Sequence, residues 1–217
     1  MTAAIQPSVA ARALTGGLTQ LVRRGLRGVW VRGELPPAGV VWAANHHSWW
    51  DGFVAGSVLR EQHRSAVLLM DGDNLRAFGF LRSVGVISAQ RPREALQQLR
   101  QGRVLVIFPE GQLRPLGPLG PVARGAEWLA RTAPAPVVPV AVRVIGRGHQ
   151  YPEALVDIGA RVAPEDIGPV LADRVHQLDV IVRGSDPRRP VAGFRCAVRG
   201  RSSWDERISR WAELVRK

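Results

Sequence analysis

The chain has 217 residues, 46% of them hydrophobic, and a formal net charge of +12. That length suits one α/β domain with a full core, and the single cysteine, Cys196, excludes a disulfide framework and a cysteine-rich metal site. Lys217 is the only lysine, so arginine carries the charge, and the excess favours anionic partners: phospholipid headgroups, a nucleotide-bearing donor, an acidic carrier protein or nucleic acid.

Residues 1–33 hold no apolar run long enough to span a bilayer and no compact apolar core after a basic start. They carry a helical period instead, through Val9, Ala13, Leu14, Leu18, Leu21, Val22, Leu26, Val29 and Trp30, with Arg12, Arg23, Arg24 and Arg27 among them. An N-terminal amphipathic helical segment is expected over 1–33, either lying on an anionic membrane or packed on the domain's own core. A single domain is expected over 34–217. Glu34 to Gly39 is a turn, and Val40-Val41-Trp42 is a buried strand. A helix follows to about Arg60, then strands over 66–70 and 84–89 separated by a mixed loop and short helix with exposed apolar candidates Leu75, Phe78, Phe80 and Leu81. Residues 93–101 form a helix stopped by Gly102, and 104–108 a fourth strand. The Pro- and Gly-rich stretch 112–125 is a loop, either a flap or a rigid connector. A helix over 126–131 and a strand over 137–145 come next. An edge strand over 155–162, a helix over 165–177, an arginine-rich solvated stretch over 183–201 and an amphipathic helix over 204–215 complete the chain. Apolar strands separated by helices argue for a mainly parallel mixed sheet flanked by helices.

The chemistry concentrates between the first strand and its helix, in Asn45-His46-His47-Ser48-Trp49-Trp50-Asp51. Ser48-x-x-Asp51 has the form of a capping box, with Ser48 as N-cap and Asp51 at N3. On one continuous helix His47 would share a face with Asp51. If the helix starts at Ser48, Asp51 can reach back to either ring. A carboxylate on one imidazole nitrogen fixes the tautomer and leaves the other nitrogen as a base. Asn45-His46, Arg91 and Glu110-Gly111 all fall just past the carboxyl ends of expected strands, the edge where open α/β sheets place ligands. Adjacent His46 and His47 rarely converge on one ion and no third ligand has the usual spacing, so no metal is expected.

Asn45-His46-x-x-x-x-Asp51 resembles the N-H-x-x-x-x-D motif of the glycerolipid acyltransferases, the lysophosphatidic acid acyltransferase family. Phe108-Pro109-Glu110-Gly111 resembles that family's F-P-E-G block, Gly85-x-x-x-x-x-Arg91 the block between them, and Val138-Pro139-Val140 the block after them. The resemblance implies a glycerolipid-acyltransferase-like α/β fold and selects His46 over His47 as the catalytic base, with Asp51 orienting it. It implies acyl transfer from an acyl thioester, acyl-CoA or acyl carrier protein, to a lipid hydroxyl without another cofactor. The expected acceptor is 1-acylglycerol-3-phosphate, in phospholipid biosynthesis. Asn45, Arg91, Glu110, Gly111 and Arg114 are the expected substrate-binding residues. Arg91 has the charge and bidentate geometry for a phosphate, and Glu110 belongs to the family's acceptor site.

The sequence departs from the family after Gly111. Where members acting on glycerol phosphates carry threonine, arginine, serine, this chain has Gln112-Leu113-Arg114. Leu113 cannot bind phosphate, and Arg114 stands one residue along. A second reading is therefore acylation of a glycolipid, carotenoid glycoside or other lipid alcohol lacking phosphate. A third is a non-catalytic basic protein binding lipid or nucleic acid. Base-stacking aromatics interleaved with the arginines are scarce, so nucleic acid is not expected. The expected location is cytoplasmic, peripheral to the inner face of the cell membrane.

Overall fold

The computed structural model describes residues 9–215, with side chains except those of residues 209, 210 and 212–215. Among the described residues, eight strands form one sheet in the order β4-β3-β5-β2-β6-β7-β1-β8. The strands are β1 (Gly28–Arg32), β2 (Val40–Ala44), β3 (Ala66–Met70), β4 (Val86–Ser88), β5 (Val104–Ile107), β6 (Val137–Ile145), β7 (Glu153–Ile158) and β8 (Arg195–Arg199). The helices are α1 (Val9–Gly25), α2 (Asp51–Glu61), α3 (Gly72–Ala77), α4 (Pro92–Arg100), α5 (Gly125–Thr132), α6 (Ile167–Arg183) and α7 (Trp204–Val215).

β2 occupies the middle of the sheet because it is apolar on both faces. Its period of two sends Val40, Trp42 and Ala44 to one side, against Val54, Ala55, Val58 and Leu59 of α2 and Val22 of α1. It sends Val41 and Ala43 to the other, against Ala95, Leu96 and Leu99 of α4 and Ala126, Leu129 and Ala130 of α5. β2 pairs in parallel with β5 and β6, and β3 in parallel with β4 and β5. The remainder is mixed: β7 runs antiparallel to β6, β1 parallel to β7, and β8 antiparallel to β1. The α/β class and the mainly parallel core are as expected from sequence.

Three local expectations are corrected. The N-terminal helix ends at Gly25, and Val29 and Trp30 lie in β1, a strand of the same sheet, so residue 33 marks no boundary. The strand of residues 153–158 is interior, between β6 and β1, rather than an edge. Part of the arginine-rich stretch is strand: β8 forms the edge against β1. In each case the partner lies far away in sequence. The Arg27 N–H, for example, donates to the Pro152 carbonyl at 2.8 Å, a contact no local period announces. Of the four apolar candidates near α3, Phe78 and Phe80 are exposed, whereas Leu75 and Leu81 are buried.

Ala11 and Val22 are buried, and Leu18 packs with Leu75, Leu81 and Val86. Part of the apolar stripe of α1 therefore packs on the domain itself, while Val9, Ala13 and Leu21 of the same helix are exposed. No described helix is long and apolar enough to cross a membrane.

Candidate active site

β2 ends at Ala44, but its ladder along β6 does not stop there. Asn45 Nδ2 donates to the Val142 carbonyl at 3.1 Å, and the Val142 N–H donates to Asn45 Oδ1 at 2.8 Å. His47 Nε2 lies 3.1 Å from the Val142 carbonyl and 3.2 Å from the Val144 N–H. One tautomer donates to the first, and the other accepts from the second. Two side chains thus continue the pairing that the departing backbone abandons, which fixes the turn between β2 and α2. Asn45 is buried, with its amide bonded to the backbone of Val142, so its place departs from the substrate-binding expectation. Burial, with help from Arg143, holds the His47 imidazole below its usual value despite Asp51 nearby.

The turn holds His47 on β6 and leaves the His46 ring to meet Asp51. Asp51 is the first residue of α2 and is 0% exposed. A single oxygen, Oδ2, accepts from His46 Nδ1, the His47 N–H and the Ser48 N–H, each at 2.8 Å. The capping-box logic holds in part. Asp51 reaches back to the Ser48 N–H as expected, but the Ser48 hydroxyl accepts from the Trp50 N–H at 3.2 Å, and the helix begins two residues later than a Ser48 cap would place it. The same fold of the chain decides between the histidines: the ring that meets Asp51 is that of His46.

His46 stacks on Phe108, with ring centroids 4.3 Å apart and planes within 18°. Its side chain is 24% exposed, and Nε2 makes no hydrogen bond among the described residues. The result is an imidazole clamped at Nδ1 and on one face, with its second nitrogen open. Its backbone is held equally firmly. The His46 N–H donates to Glu110 Oε2 at 2.8 Å, and the His46 carbonyl accepts from the Arg114 N–H at 2.8 Å.

Phe108 to Gly111 is a tight turn closed by the Gly111 N–H on the Phe108 carbonyl at 3.0 Å. Gly111 has φ +69°, a conformation in which a side chain is strained although open space surrounds it. Glu110 bridges the turn to the next loop, because its Oε1 accepts from the Gly120 N–H at 2.9 Å. The loop of residues 111–124 is further tied by the Ala123 N–H to the Pro109 carbonyl at 2.8 Å and by Arg143, which donates to the Gly117 carbonyl at 2.6 Å. These tethers bind the loop to the turn at Glu110 and to β6. Gln112 and Leu113 are exposed, while Arg114 is half-buried beside Gly120.

Sheet order brings some expected residues together and not others. β5 adjoins β2, so Glu110, Gly111 and Arg114 gather at His46. Arg91 follows β4, three strand spacings from β2, about 14 Å along the sheet. Its side chain is exposed and lies 3.8 Å from Glu94. Two contributors were not singled out from sequence. Phe108 supports the His46 ring, and its place in the motif block was the available signal. Arg143 is a buried charge within the apolar run of β6, and it is paired with Asp179 at 2.6 and 2.8 Å. A charge inside such a strand demands a partner, and that demand was legible. Among the described residues no group of His, Cys, Asp and Glu is arranged to hold a metal.

A family model described as Acyltransferase matches residues 29–143, more than half of the chain. The chain belongs to the acyltransferase family. The matched span of this acyltransferase chain runs from β1 through most of β6 and contains every block that resembles the glycerolipid branch. A relative in Pseudomonas aeruginosa, a 1-acyl-sn-glycerol-3-phosphate acyltransferase, is 29% identical over 172 residues. That match covers 73% of this chain and 61% of the relative's length. The crystal structure of the 1-acyl-sn-glycerophosphate (LPA) acyltransferase PlsC from Thermotoga maritima superposes with a TM-score of 0.59 at 16% identity, covering 82% of this chain and 84% of that one, and so shares the fold.

Proposed function

We propose that this acyltransferase moves a fatty acyl group from an acyl thioester, acyl-CoA or acyl carrier protein, to the hydroxyl of 1-acylglycerol-3-phosphate in phospholipid biosynthesis. The observation that carries the reading is the His46–Asp51 pair, with Nδ1 bonded to a fully buried carboxylate and Nε2 open. The acceptor hydroxyl gives its proton to His46 Nε2 as its oxygen attacks the thioester carbonyl. The carbon–sulfur bond then breaks, and the thiolate leaves with the proton returned by His46. Asp51 stabilises the imidazolium and holds the tautomer. The acceptor supplies the nucleophile, so no protein nucleophile, metal or further cofactor enters the step.

Glu110 acts in this reading through position: its two oxygens hold the His46 backbone and the loop at Gly120. Arg114, whose backbone N–H bonds the His46 carbonyl and whose guanidinium lies beside Gly120, takes the acceptor phosphate in this reading. Arg91, exposed at a more distant strand end, is available to the phosphates of a coenzyme donor. One observation favours a second reading, acylation of a phosphate-free lipid alcohol: Leu113 is exposed where an arginine would meet phosphate.

The test is thiol release from a long-chain acyl-CoA with lysophosphatidate and a neutral glycosylated lipid offered separately, and His46→Ala as control. Release with lysophosphatidate, lowered by at least about 10²-fold in His46→Ala, is the expected result. Release with the neutral lipid alone moves the acceptor to the second reading. Wild-type turnover in a clean His46→Ala preparation overturns the assignment of the base.

A further inference from the structure

The last helix carries what the first one hides. In α7, Trp204, Ile208 and Trp211 are 64%, 60% and 68% exposed. At steps of four and three residues they lie along one face. A surface helix ordinarily turns such a stripe toward its own core, as α1 does with Ala11, Leu18 and Val22.

Strand directions fix where α7 leaves the domain. β6 is parallel to β2, β7 antiparallel to β6, β1 parallel to β7, and β8 antiparallel to β1. β8 therefore runs the same way as β2 and ends at the rim that holds His46. Four strand spacings separate the two ends, about 19 Å along that rim. The exit is tied down. The Gly200 and Arg201 N–H groups donate to the Arg27 and Leu26 carbonyls at 3.0 and 2.9 Å. Glu206 accepts from Arg27 at 2.8 Å and from the Ser203 N–H at 2.9 Å. The base of the helix is thus fixed to the site's side of the sheet while its apolar face points away from the domain. Trp49, three residues after His46 in the turn that opens α2, is exposed as well.

Charge of both signs adjoins the base of the stripe, where Asp205 is exposed next to Trp204. Arg199, Arg201 and Arg207 are exposed, and Arg207 lies over the Trp204 ring at 5.6 Å. Indole side chains favour the boundary between headgroups and acyl chains, and flanking arginines favour anionic headgroups. A second copy of the chain would set the same arginines against each other across a symmetric contact.

We propose that the exposed face of α7 docks on an anionic lipid bilayer and turns the His46 rim toward it. The proposal builds on the reading that the acceptor is a lipid, and its test contains no acyl transfer. The full chain is incubated with vesicles of phosphatidylcholine, with and without phosphatidylglycerol, and sedimented. Wild type is expected to bind the phosphatidylglycerol vesicles, and Trp204→Ser/Trp211→Ser to lower its partition at least about tenfold with an unchanged melting temperature. Arg199→Gln/Arg207→Gln keeps the stripe and is expected to lose about tenfold of the preference for anionic over neutral vesicles. Equal binding by wild type and both variants, or no binding by wild type, overturns the proposal. So does a wild-type dimer that the tryptophan variant makes monomeric, since the face would then belong to a second copy. Vesicle binding through α7 without thiol release would instead overturn the proposed reaction and leave the anchor standing.

Discussion

Asp51, on the parallel side of the sheet, and Glu153 and Asp157, on the antiparallel side, are all buried, yet their partners differ in kind. Asp157 is bonded by Arg32 at both oxygens and by Arg174 at one, each at 2.8 Å. Glu153 is bonded by Arg27 at one oxygen and Arg147 at the other. These carboxylates meet fixed positive charges and join β7 to β1, α6 and the loop after β6. Asp51 meets no arginine. It takes an imidazole and backbone N–H groups on one oxygen, and its buried Oδ1 has no hydrogen-bond partner among the described residues. A carboxylate balanced by arginine has nothing left to stabilise, whereas one facing a neutral imidazole gains when that ring takes a proton. The difference separates a structural ion pair from the arrangement that the proposed proton transfer requires.

Substitutions at the two kinds of carboxylate sharpen the contrast. Asp51→Asn is expected to lower kcat about 10²–10⁴-fold by releasing the His46 tautomer. It also weakens the bonds to the His47 and Ser48 N–H groups, a stability loss of about 1–3 kcal/mol measurable by urea unfolding. Asp157→Asn is expected to lower stability alone. Asp157 is buried but Arg32 and Arg174 are only half-buried, so water screens part of the loss and the cost is about 1–3 kcal/mol, while kcat per folded molecule stays at the wild-type value in a low-temperature thiol-release assay. Loss of activity in Asp157→Asn beyond its unfolded fraction would break the comparison.

A smaller effect is expected at the turn that presents Glu110. Gly111→Ala forces an alanine to φ +69° and should cost about 1–2 kcal/mol in chemical denaturation. The smallest concerns pH. His47 is held below its ordinary value in the fold, so the unfolded chain binds the proton more readily. Stability should be full above about pH 6.5 and decline as pH falls through that value toward the folded one. Glu206 has the opposite group type and a lower window: its carboxyl is pulled from 4.5 to about 2, chiefly by Arg27 working against burial. Its contribution is present above about 4.5 and lost as pH falls toward 2. A melting-temperature series from pH 8 to pH 3 should show a slope below pH 6.5 that His47→Gln removes, and a further drop below pH 4.5 that Glu206→Gln removes.

Much of the catalytic half was legible because its signals are local. The strands of residues 66–70 and 137–145 and the helix of residues 204–215 coincide with the apolar periods that announced them. Asn45, His46, Asp51 and Glu110 stood out because reactive side chains followed apolar strands. The antiparallel half was not legible in the same way. β1 has only five residues and continues a helical period into a strand, and β8 is a five-residue strand with an arginine at each end. Their pairing with each other, and of β1 with β7, spans well over a hundred residues. No local pattern encodes which distant edge a short strand will meet.

The sequence by itself determined the α/β class, the motif residues and the strand ends where they lie, since hydrophobic period and turn chemistry act over a few neighbours. Which histidine meets Asp51 on geometric grounds was a tertiary matter, because it depended on where α2 begins and on Val142 and Val144 drawing His47 away to β6. So was the separation of Arg91 from Glu110, which follows from strand order. The opposite fates of the two terminal helices were also settled there: α1 finds apolar partners in α2 and the segment after α3, whereas the stripe of α7 stays exposed. Amphipathicity says that a helix has an apolar face, and only the assembled surface says what that face touches.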